Sequence, residues 1–253
     1  MKKHITIDGG AVVYEIEHPV VSSRDAPRER AAKAKATNDA QRLRNRILST
    51  RELELRLAKN FPRAGSGLVF TLTFDDRHLP RTRKEAQRRF KYFLKKLREA
   101  RREAGLPEPR VIYTPEALSS ASGRWHYHIV MDNTGRDLEI VRRCWIYGSE
   151  IECEKLRVDR EKNHETLARY MNKELREAQE YDCRPGLHGW SCTRSCLRPE
   201  VDVRIVEDRE RLRPPKGATV LIRERRENAL AAWSLLKYRL PAKCFPRPPR
   251  ARR

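Results

Sequence analysis

The segment of residues 83–103 limits the fold more than any other part of the chain. Its apolar residues recur at helical spacing and form one stripe, made of Ala86, Phe90, Phe93, Leu94, Leu97 and Ala100. Ten basic and three acidic residues occupy most of the remaining positions. A helix with one apolar stripe has to bury that stripe against another element. The sequence therefore predicts a helix over residues 83–103 that packs on a sheet and turns a basic surface to solvent.

Strand-like segments lie on both sides of this helix. "LVFTLTF" precedes it, and "RVIYTPEAL" follows it and leads through the loop "SSASG" into "HYHIVMD". A helical turn through Val141 and Trp145 and a polar strand near "IECEKLRVD" come next. The order strand, helix, strand, strand, helix, strand allows a ferredoxin-like arrangement. We predict an α+β fold in which a central antiparallel sheet, of the ferredoxin or RRM type, carries helices on one face.

The rest of the chain is predicted to extend this central domain at both ends. Residues 1–57 are expected to form a basic N-terminal extension with exposed helices, preceded by "GAVVYEIEH", which favours an edge strand or hairpin. Residues 58–206 form the predicted central domain, and residues 207–240 a strand and helix extension. Residues 241–253 have five basic residues, four prolines and no acid, a composition that predicts a disordered tail.

The charge of the chain indicates its class of partner. The 253 residues include 56 Lys and Arg against 35 Asp and Glu, a formal net charge of +21. Such an excess is typical of proteins that bind nucleic acid, although a merely soluble cationic protein is the alternative. No run approaches the roughly 18 apolar residues of a membrane span. The basic start "MKKHITIDGG" lacks the apolar segment of a secretory signal. We therefore expect a soluble, cytoplasmic protein without a membrane partner.

Four residues that could bind zinc lie within fourteen positions: Cys183, His188, Cys192 and Cys196. They lack the CxxC spacing that makes a zinc prediction specific. Because the chain shows no secretion signal, reduced thiols are the default for its cysteines. The pattern leaves a zinc site open and favours ordinary thiols.

The segment "GRWHYHIVMDN" places two histidines one residue apart on a predicted strand. Successive side chains of a strand point to opposite faces, so His126 and His128 project together while Tyr127 points away. Two neighbouring imidazoles are half of a metal site. Taken alone, however, the pattern is more typical of a polar strand whose histidines face solvent.

A carboxylate can complete this half-site. Glu116 lies ten residues before His126, at the end of the preceding predicted strand. If the two strands pair through the loop, Glu116 can reach a metal bound by His126 and His128. One carboxylate and two imidazoles suit Mg²⁺ or Mn²⁺, with positions left open for phosphate oxygens. A solvated acid at a strand end is the simpler interpretation of Glu116.

A candidate nucleophile lies on the predicted helix "HETLARYMNKELREAQ". Tyr170 and Lys173 are three residues apart there and share a helix face. A nearby ammonium favours the phenolate, so Tyr170 is a candidate nucleophile and Lys173 a candidate stabiliser of phenolate or phosphate charge. The expected chemistry is attack of a tyrosine on a metal-polarised phosphodiester. The YxxK spacing is also common in ordinary helices.

Together, "VFTLTF", a glutamate followed by "HYH", and "YMNK" resemble the three ordered motifs of HUH endonucleases, named for His-hydrophobic-His. The phrases "FTLTFDD", "WIYGS" and "TRSCLRPEV" look more closely like rolling-circle replication-associated proteins of phages, plasmids and integrated elements. The resemblance covers residues 58–206. It implies that Tyr170 nicks single-stranded DNA at a replication origin, stays joined to the 5′ phosphate and leaves a free 3′ hydroxyl.

Further features narrow this resemblance. The sequence contains no GxxxxGK[ST], so a host helicase is expected as a partner, together with a host polymerase that extends the 3′ hydroxyl. A dimer on DNA is compatible with this role. Two-tyrosine relatives carry a second tyrosine four residues after the first, but position 174 is Glu, which predicts a single-tyrosine enzyme. Because Tyr170 follows the histidines, plasmid-mobilising relaxases are disfavoured, whereas small HUH transposases stay open.

Basic residues near these motifs are candidate DNA contacts. Arg124 immediately precedes the strand with the two histidines, and Lys91, Lys95 and Arg98 lie on the predicted basic helix.

A different class of function, binding without catalysis, is the other alternative. An RRM-like sheet can bind single strands by stacking bases on aromatic residues. Phe70, Phe74 and Tyr127 are the candidates for stacking, although core positions are favoured for the two phenylalanines. The complete set of proposed metal and catalytic residues favours catalysis, because a pure binder needs none of them.

Overall fold

A computed structural model of the chain describes residues 1–20, 39–116, 124–159, 163–172, 189–207, 212–227 and 232–245. The described helices are α1 (Asp39–Asn60), α2 (Arg83–Glu103), α3 (Asp137–Cys144) and α4 (Glu165–Met171). The described strands are β1 (Lys2–Asp8), β2 (Val12–Pro19), β3 (Gly67–Thr73), β4 (Val111–Glu116), β5 (His126–Asp132), β6 (Ile151–Lys155), β7 (Ser191–Cys192), β8 (Glu200–Val206), β9 (Thr219–Glu227) and β10 (Ala232–Arg239). Over these ranges the fold is α+β, as predicted, with two antiparallel five-stranded sheets.

The central sheet has the strand order β6-β3-β5-β4-β7. Its first four strands come from the segment β3-α2-β4-β5-α3-β6, so the predicted order of strands and helices is confirmed. Strand β5 lies in the middle of the sheet, between β3 and β4. The two histidines of β5 therefore lie at the centre of the domain.

Helix α2 packs on one face of the central sheet, and its observed bounds are those predicted. Its N-cap is Thr82, whose hydroxyl accepts a hydrogen bond from the backbone N–H of Glu85 at 3.2 Å. All six residues of the predicted apolar stripe are buried. The ring of Phe90 stacks on the ring of Tyr127 in β5, with centroids 3.9 Å apart. Helix α3 packs in the same cluster through Ile140 and Val141.

The prediction that helices cover only one face of the sheet is wrong. Helices α1 and α4 pack on the opposite face, in a cluster whose helical members are Leu53, Leu57, Ala168 and Met171. The physical reason is that the central strands are apolar on both sides, and two apolar faces both need cover. Val69, Ile112 and Val130 face α1 and α4, whereas Phe70, Val111 and Ile129 face α2 and α3.

Helix α1 is exposed in its first half and buried in its second. Leu43 and Ile47 are exposed, as expected for a basic extension, but Leu53 and Leu57 are fully buried. The helix runs without interruption through the predicted domain boundary after residue 57. The division into domains stays a prediction, while the exposed helix predicted there holds only for the first half.

The second sheet has the order β8-β1-β2-β10-β9 and was not predicted as a sheet. Single strands at "GAVVYEIEH", "RPEVDVRIVE" and "ATVLIRE" are confirmed as β2, β8 and β9. The described residues between 212 and 240 hold β9 and β10. The pairing of β1 with β8 joins segments almost 200 residues apart, and no local pattern announces such a contact.

A buried ion cluster connects the second sheet to the helices. Nζ of Lys237 in β10 lies 2.7 Å from Oε1 of Glu54 in α1 and 2.8 Å from Oε2 of Glu165 in α4. The hydroxyl of Tyr14 in β2 donates a hydrogen bond to Glu54 at 2.7 Å. One β-strand lysine therefore links the first turn of α4 to α1.

The predicted tail is partly folded. Residues Ala242–Cys244 form a 3₁₀ turn, and Phe245 packs against the cluster of α1 and β2. The prediction of disorder is therefore wrong for residues 241–245, and residues 246–253 lie outside the described residues. Among the residues that the structure describes, no helix is long and apolar enough to cross a membrane.

Candidate active site

Two paired strands bring Glu116, His126 and His128 together. In the pairing of β4 with β5, Glu116 lies directly opposite His126. Because Tyr127 is buried under α2, the histidines on either side of it point to the α1 and α4 face. The predicted pairing through the loop, and the shared face of the two histidines, are both confirmed.

The three side chains form a compact cluster of metal-binding groups. One ligand atom from each residue lies within 4.8 Å of those from the other two. Oε2 of Glu116 contacts Nε2 of His128, and both residues are buried, whereas His126 is partly exposed. One carboxylate and two imidazoles that converge on one point can hold a divalent cation, and the partly exposed side leaves room for other ligands.

Burial keeps one of the imidazoles neutral. Removal from water lowers the pKa of His126, and this effect outweighs the nearby charge of Glu116, which raises it. Only a neutral imidazole has a lone pair for a metal ion. His126 is therefore in the protonation state that a metal ligand needs at neutral pH.

Thr71 of β3 holds the ring of His128, a role that the sequence did not reveal. Its Oγ1 lies 3.4 Å from Nδ1 of His128, which is directly opposite it in the pairing of β3 with β5. If Nδ1 carries the proton and donates it to Thr71, the lone pair of Nε2 faces Glu116. Knowledge of the strand register was needed to find Thr71, since threonines alternate through "FTLTF".

Helix α4 brings a phenol to the same cluster. Oη of Tyr170 lies 3.2 Å from Nε2 of His128, and the two rings meet edge to face with centroids 5.2 Å apart. Tyr170 is 49% exposed, so a polymer substrate can reach its oxygen. Four of the predicted site residues, Glu116, His126, His128 and Tyr170, thus meet at one point.

Helix α1 holds α4 at both ends. Nε2 of His164, at the start of α4, donates a hydrogen bond to the carbonyl of Phe61 at 2.8 Å. Nδ2 of Asn172, at its end, donates to Oγ1 of Thr50 at 2.9 Å. The position of Tyr170 therefore depends on α1, most of which was predicted to lie outside the central domain.

The electrostatic surroundings of Tyr170 keep its phenol protonated. Partial burial raises its pKa above the ordinary value of 10.0, and the charges of Glu116 and Glu152 raise it further. Glu152 lies on β6, opposite Thr71, and was not among the predicted site residues. A cation held by the cluster would oppose the effect of both carboxylates.

Other predicted site residues are not brought to this cluster. Lys173 lies outside the described residues. Arg124 pairs with Asp76, with 2.7 Å between Nη2 and Oδ1. The remaining candidate DNA contacts are exposed on α2: Lys91, Lys95 and Arg98. Since α2 covers the face of the sheet opposite to the histidines, these three residues lie away from Tyr170, and their role in DNA binding stays a prediction.

The aromatic residues considered for base stacking are all in the core. Phe70, Phe74 and Tyr127 are buried in the cluster under α2. Their rings contact other side chains and cannot stack on the bases of a bound strand without unfolding of the sheet. An RRM-like binding platform made of these residues is therefore excluded.

The zinc hypothesis stays open. Cys183 and His188 lie outside the described residues. Sγ of Cys196 donates a hydrogen bond to the carbonyl of Val111 at 3.5 Å, and Sγ of Cys192 accepts one from Arg56 at 3.7 Å. In the described part of the chain these two thiols have ordinary protein partners.

Comparison with known proteins gives one match. Residues 67–175 match a family model described as "Replication-associated protein", of the ORF2 type. This segment begins at β3 and contains Glu116, His126, His128, Tyr170 and Lys173. No curated protein and no solved structure matches the chain. The match supports a replication-associated protein, and it covers the strands and the helix that form the cluster.

Proposed function

We propose that this protein is a replication-initiation endonuclease of the HUH type, which nicks single-stranded origin DNA through Tyr170. One observation carries the proposal. The phenol oxygen of Tyr170 lies 3.2 Å from Nε2 of His128, inside a cluster of two imidazoles and a carboxylate. A nucleophile next to groups that can bind a cation is the arrangement that cleavage of a phosphodiester needs.

The reaction is a transfer of a phosphoryl group to tyrosine. A bond forms between Oη of Tyr170 and the phosphorus, and the bond from the phosphorus to the 3′ oxygen breaks. The phenol loses its proton, and the 3′ oxygen ends as a hydroxyl group. The 5′ phosphate stays joined to the protein, so the energy of the phosphodiester is kept for rejoining, and a polymerase can extend the 3′ hydroxyl.

The residues of the chain divide this work between them. Glu116, His126 and His128 would hold Mg²⁺ or Mn²⁺, which suits their donor atoms. The bound cation would draw electron density from the phosphate oxygens and lower the cost of the negative charge that develops there. Thr71 orients His128, and α1 holds α4 so that Oη approaches from a fixed direction. Such positioning removes much of the entropic cost of bringing nucleophile and substrate together.

Lys173 is proposed to stabilise the charge of the phenolate or the phosphate, since it lies one helical turn after Tyr170 in sequence. We expect Lys173→Ala to slow cleavage by about 10²–10³-fold, as the loss of one electrostatic stabiliser does, without abolishing the adduct. Single-stranded origin DNA, a host helicase and a host polymerase are the partners of this proposal.

The test is a search for a covalent protein–DNA adduct. Wild-type protein is incubated with a pool of labelled single-stranded oligonucleotides and Mn²⁺, and the products are separated on a denaturing gel. Tyr170→Phe removes one oxygen and keeps the ring, so the adduct should disappear while folding and DNA affinity stay unchanged. Tyr92→Phe is the matched control, because Tyr92 is 43% exposed but lies on α2, away from the cluster. An adduct formed by Tyr170→Phe would contradict the proposal.

A further inference from the structure

Strand β8 is an edge of the second sheet. It pairs with β1 on one side, and within the described part of the chain no strand pairs with its other side. The outer edge of such a strand presents a row of backbone N–H and C=O groups that can pair with another chain. Proteins commonly block an edge with proline, lysine or a bulge, but the sequence of β8, "EVDVRIV", contains neither of these residues and its pairing with β1 has no bulge.

One face of β8 is apolar and exposed. Val201 is 63% exposed, Val203 48% and Ile205 56%. In the pairing with β1, Val203 lies opposite Ile5 and Val201 opposite Ile7, so the apolar surface continues onto the neighbouring strand. Three exposed branched side chains beside an open edge are unusual for a surface that meets only water.

We propose that β8 pairs antiparallel with β8 of a second copy of this chain, about a two-fold axis at Val203. The second sheets of the two copies then form one continuous sheet. The surface is self-complementary, as an interface between identical subunits has to be. The proposal stands on the second sheet and does not depend on the proposed nicking activity.

The alternation of side chains restricts the register of this pairing. Paired residues of an antiparallel sheet point to the same face, so apolar residues meet apolar residues only if the two paired residue numbers have an even sum. The two-fold axis must therefore pass through a residue of β8 and not between two residues. Axes at Asp202, Val203 and Arg204 are the central choices.

Charge selects one of these three axes. With the axis at Val203, Asp202 lies opposite Arg204 of the partner subunit, and Val201 lies opposite Ile205 of the partner subunit. An axis at Asp202 would place that carboxylate opposite its own copy, and an axis at Arg204 would do the same with two guanidinium groups. Like charges directly opposite one another destabilise a strand pair. Within one chain Asp202 and Arg204 already pair at 2.6 Å, and both are exposed, so they are free to exchange partners.

The test is the mass of the protein in solution, measured by sedimentation equilibrium. Wild-type protein should form a dimer of twice the chain mass of 29.8 kDa. Arg204→Asp places two carboxylates opposite one another at both ends of the axis and should raise the dimer dissociation constant by about tenfold or more. The double variant Asp202→Arg, Arg204→Asp restores opposite charges across the axis and should recover most of the affinity. A monomeric wild type, or a double variant no tighter than the single variant, would overturn the proposal.

Cross-linking gives a second test that needs no change of charge. Val203→Cys places a thiol directly opposite its own copy, where the Cβ atoms of paired residues are roughly 4.5–5.5 Å apart. Mild oxidation should then form a disulfide-linked dimer in high yield. Val220→Cys on β9 is the matched control, because Val220 is also exposed on an edge strand but lies on the opposite edge of the sheet. Equal cross-linking of both variants would mean that random collision produces the dimer and would refute the pairing of β8.

Discussion

Removal of the amino group of Lys237 should destabilise the protein severely. Lys237 is 1% exposed, and its Nζ lies 2.7 Å from Glu54 and 2.8 Å from Glu165. Burial already raises the pKa of Glu54, and the charge of Lys237 opposes that rise. In Lys237→Met the buried carboxylate of Glu54 loses its cation. Loss of one partner of a buried ion pair costs about 3–5 kcal/mol of the unfolding free energy. For a chain of this length that corresponds to a fall in melting temperature of about 6–20 °C.

The assay is thermal and urea unfolding followed by circular dichroism, with two control variants. Lys216→Met removes an exposed lysine and should leave the stability unchanged. Lys237→Met combined with Glu54→Gln removes the orphaned charge but keeps an acceptor for the hydroxyl of Tyr14, so it should recover much of the loss. At a temperature where Lys237→Met is folded, formation of the adduct should be slower, because Glu165 in the first turn of α4 has lost one of its partners. A stability of Lys237→Met within about 0.5 kcal/mol of the wild type, the range of ordinary surface substitutions, would refute the reasoning.

Two further predictions concern the metal and pH. Mn²⁺ should raise the melting temperature of wild-type protein but not of a His126→Ala, His128→Ala variant, and EDTA should stop cleavage; a shift that survives in the variant would place the metal elsewhere. Burial lowers the pKa of His164 to about 4 from the ordinary 6.5, so between these values the unfolded chain binds a proton that the folded chain does not. The unfolding free energy should therefore fall by about 3 kcal/mol as the pH drops from 6.5 to 4. His164→Asn should show a flatter profile in urea titrations over this range, and an unchanged slope would contradict the assignment.

The parts of the fold that rest on local periodicity could be predicted from the sequence. Helix α2 has its predicted bounds because a stripe of apolar residues among charged ones leaves one way to place it. The shared face of His126 and His128 follows in the same way from the two-residue period of a strand. Glu116 could be included because only a loop separates its strand from theirs, and neighbouring strands commonly pair.

The parts that rest on contacts between distant segments could not be predicted. Thr71 contacts His128 across 57 residues of chain, and several threonines in the same strand were equally plausible. Helix α1 was placed outside the central domain because its first half is basic and exposed. Nothing local showed that Thr50 and Phe61 would hold the helix that carries Tyr170. The second sheet escaped prediction for the same reason, since β1 and β8 come from opposite ends of the chain.

The two faces of the central sheet are coupled through the register of β5. Tyr127 can stack under Phe90 of α2 only while His126 and His128 point the other way, toward α4. A shift of β5 by one residue would turn both histidines into the apolar core and expose Tyr127 in their place, which burial of uncompensated polar groups forbids. The packing of α2 therefore does more than stabilise the domain, because it fixes which side chains meet the phenol of Tyr170. Enlargement of the space under Phe90 should for that reason disturb the cluster on the far face, although no atom of α2 touches it.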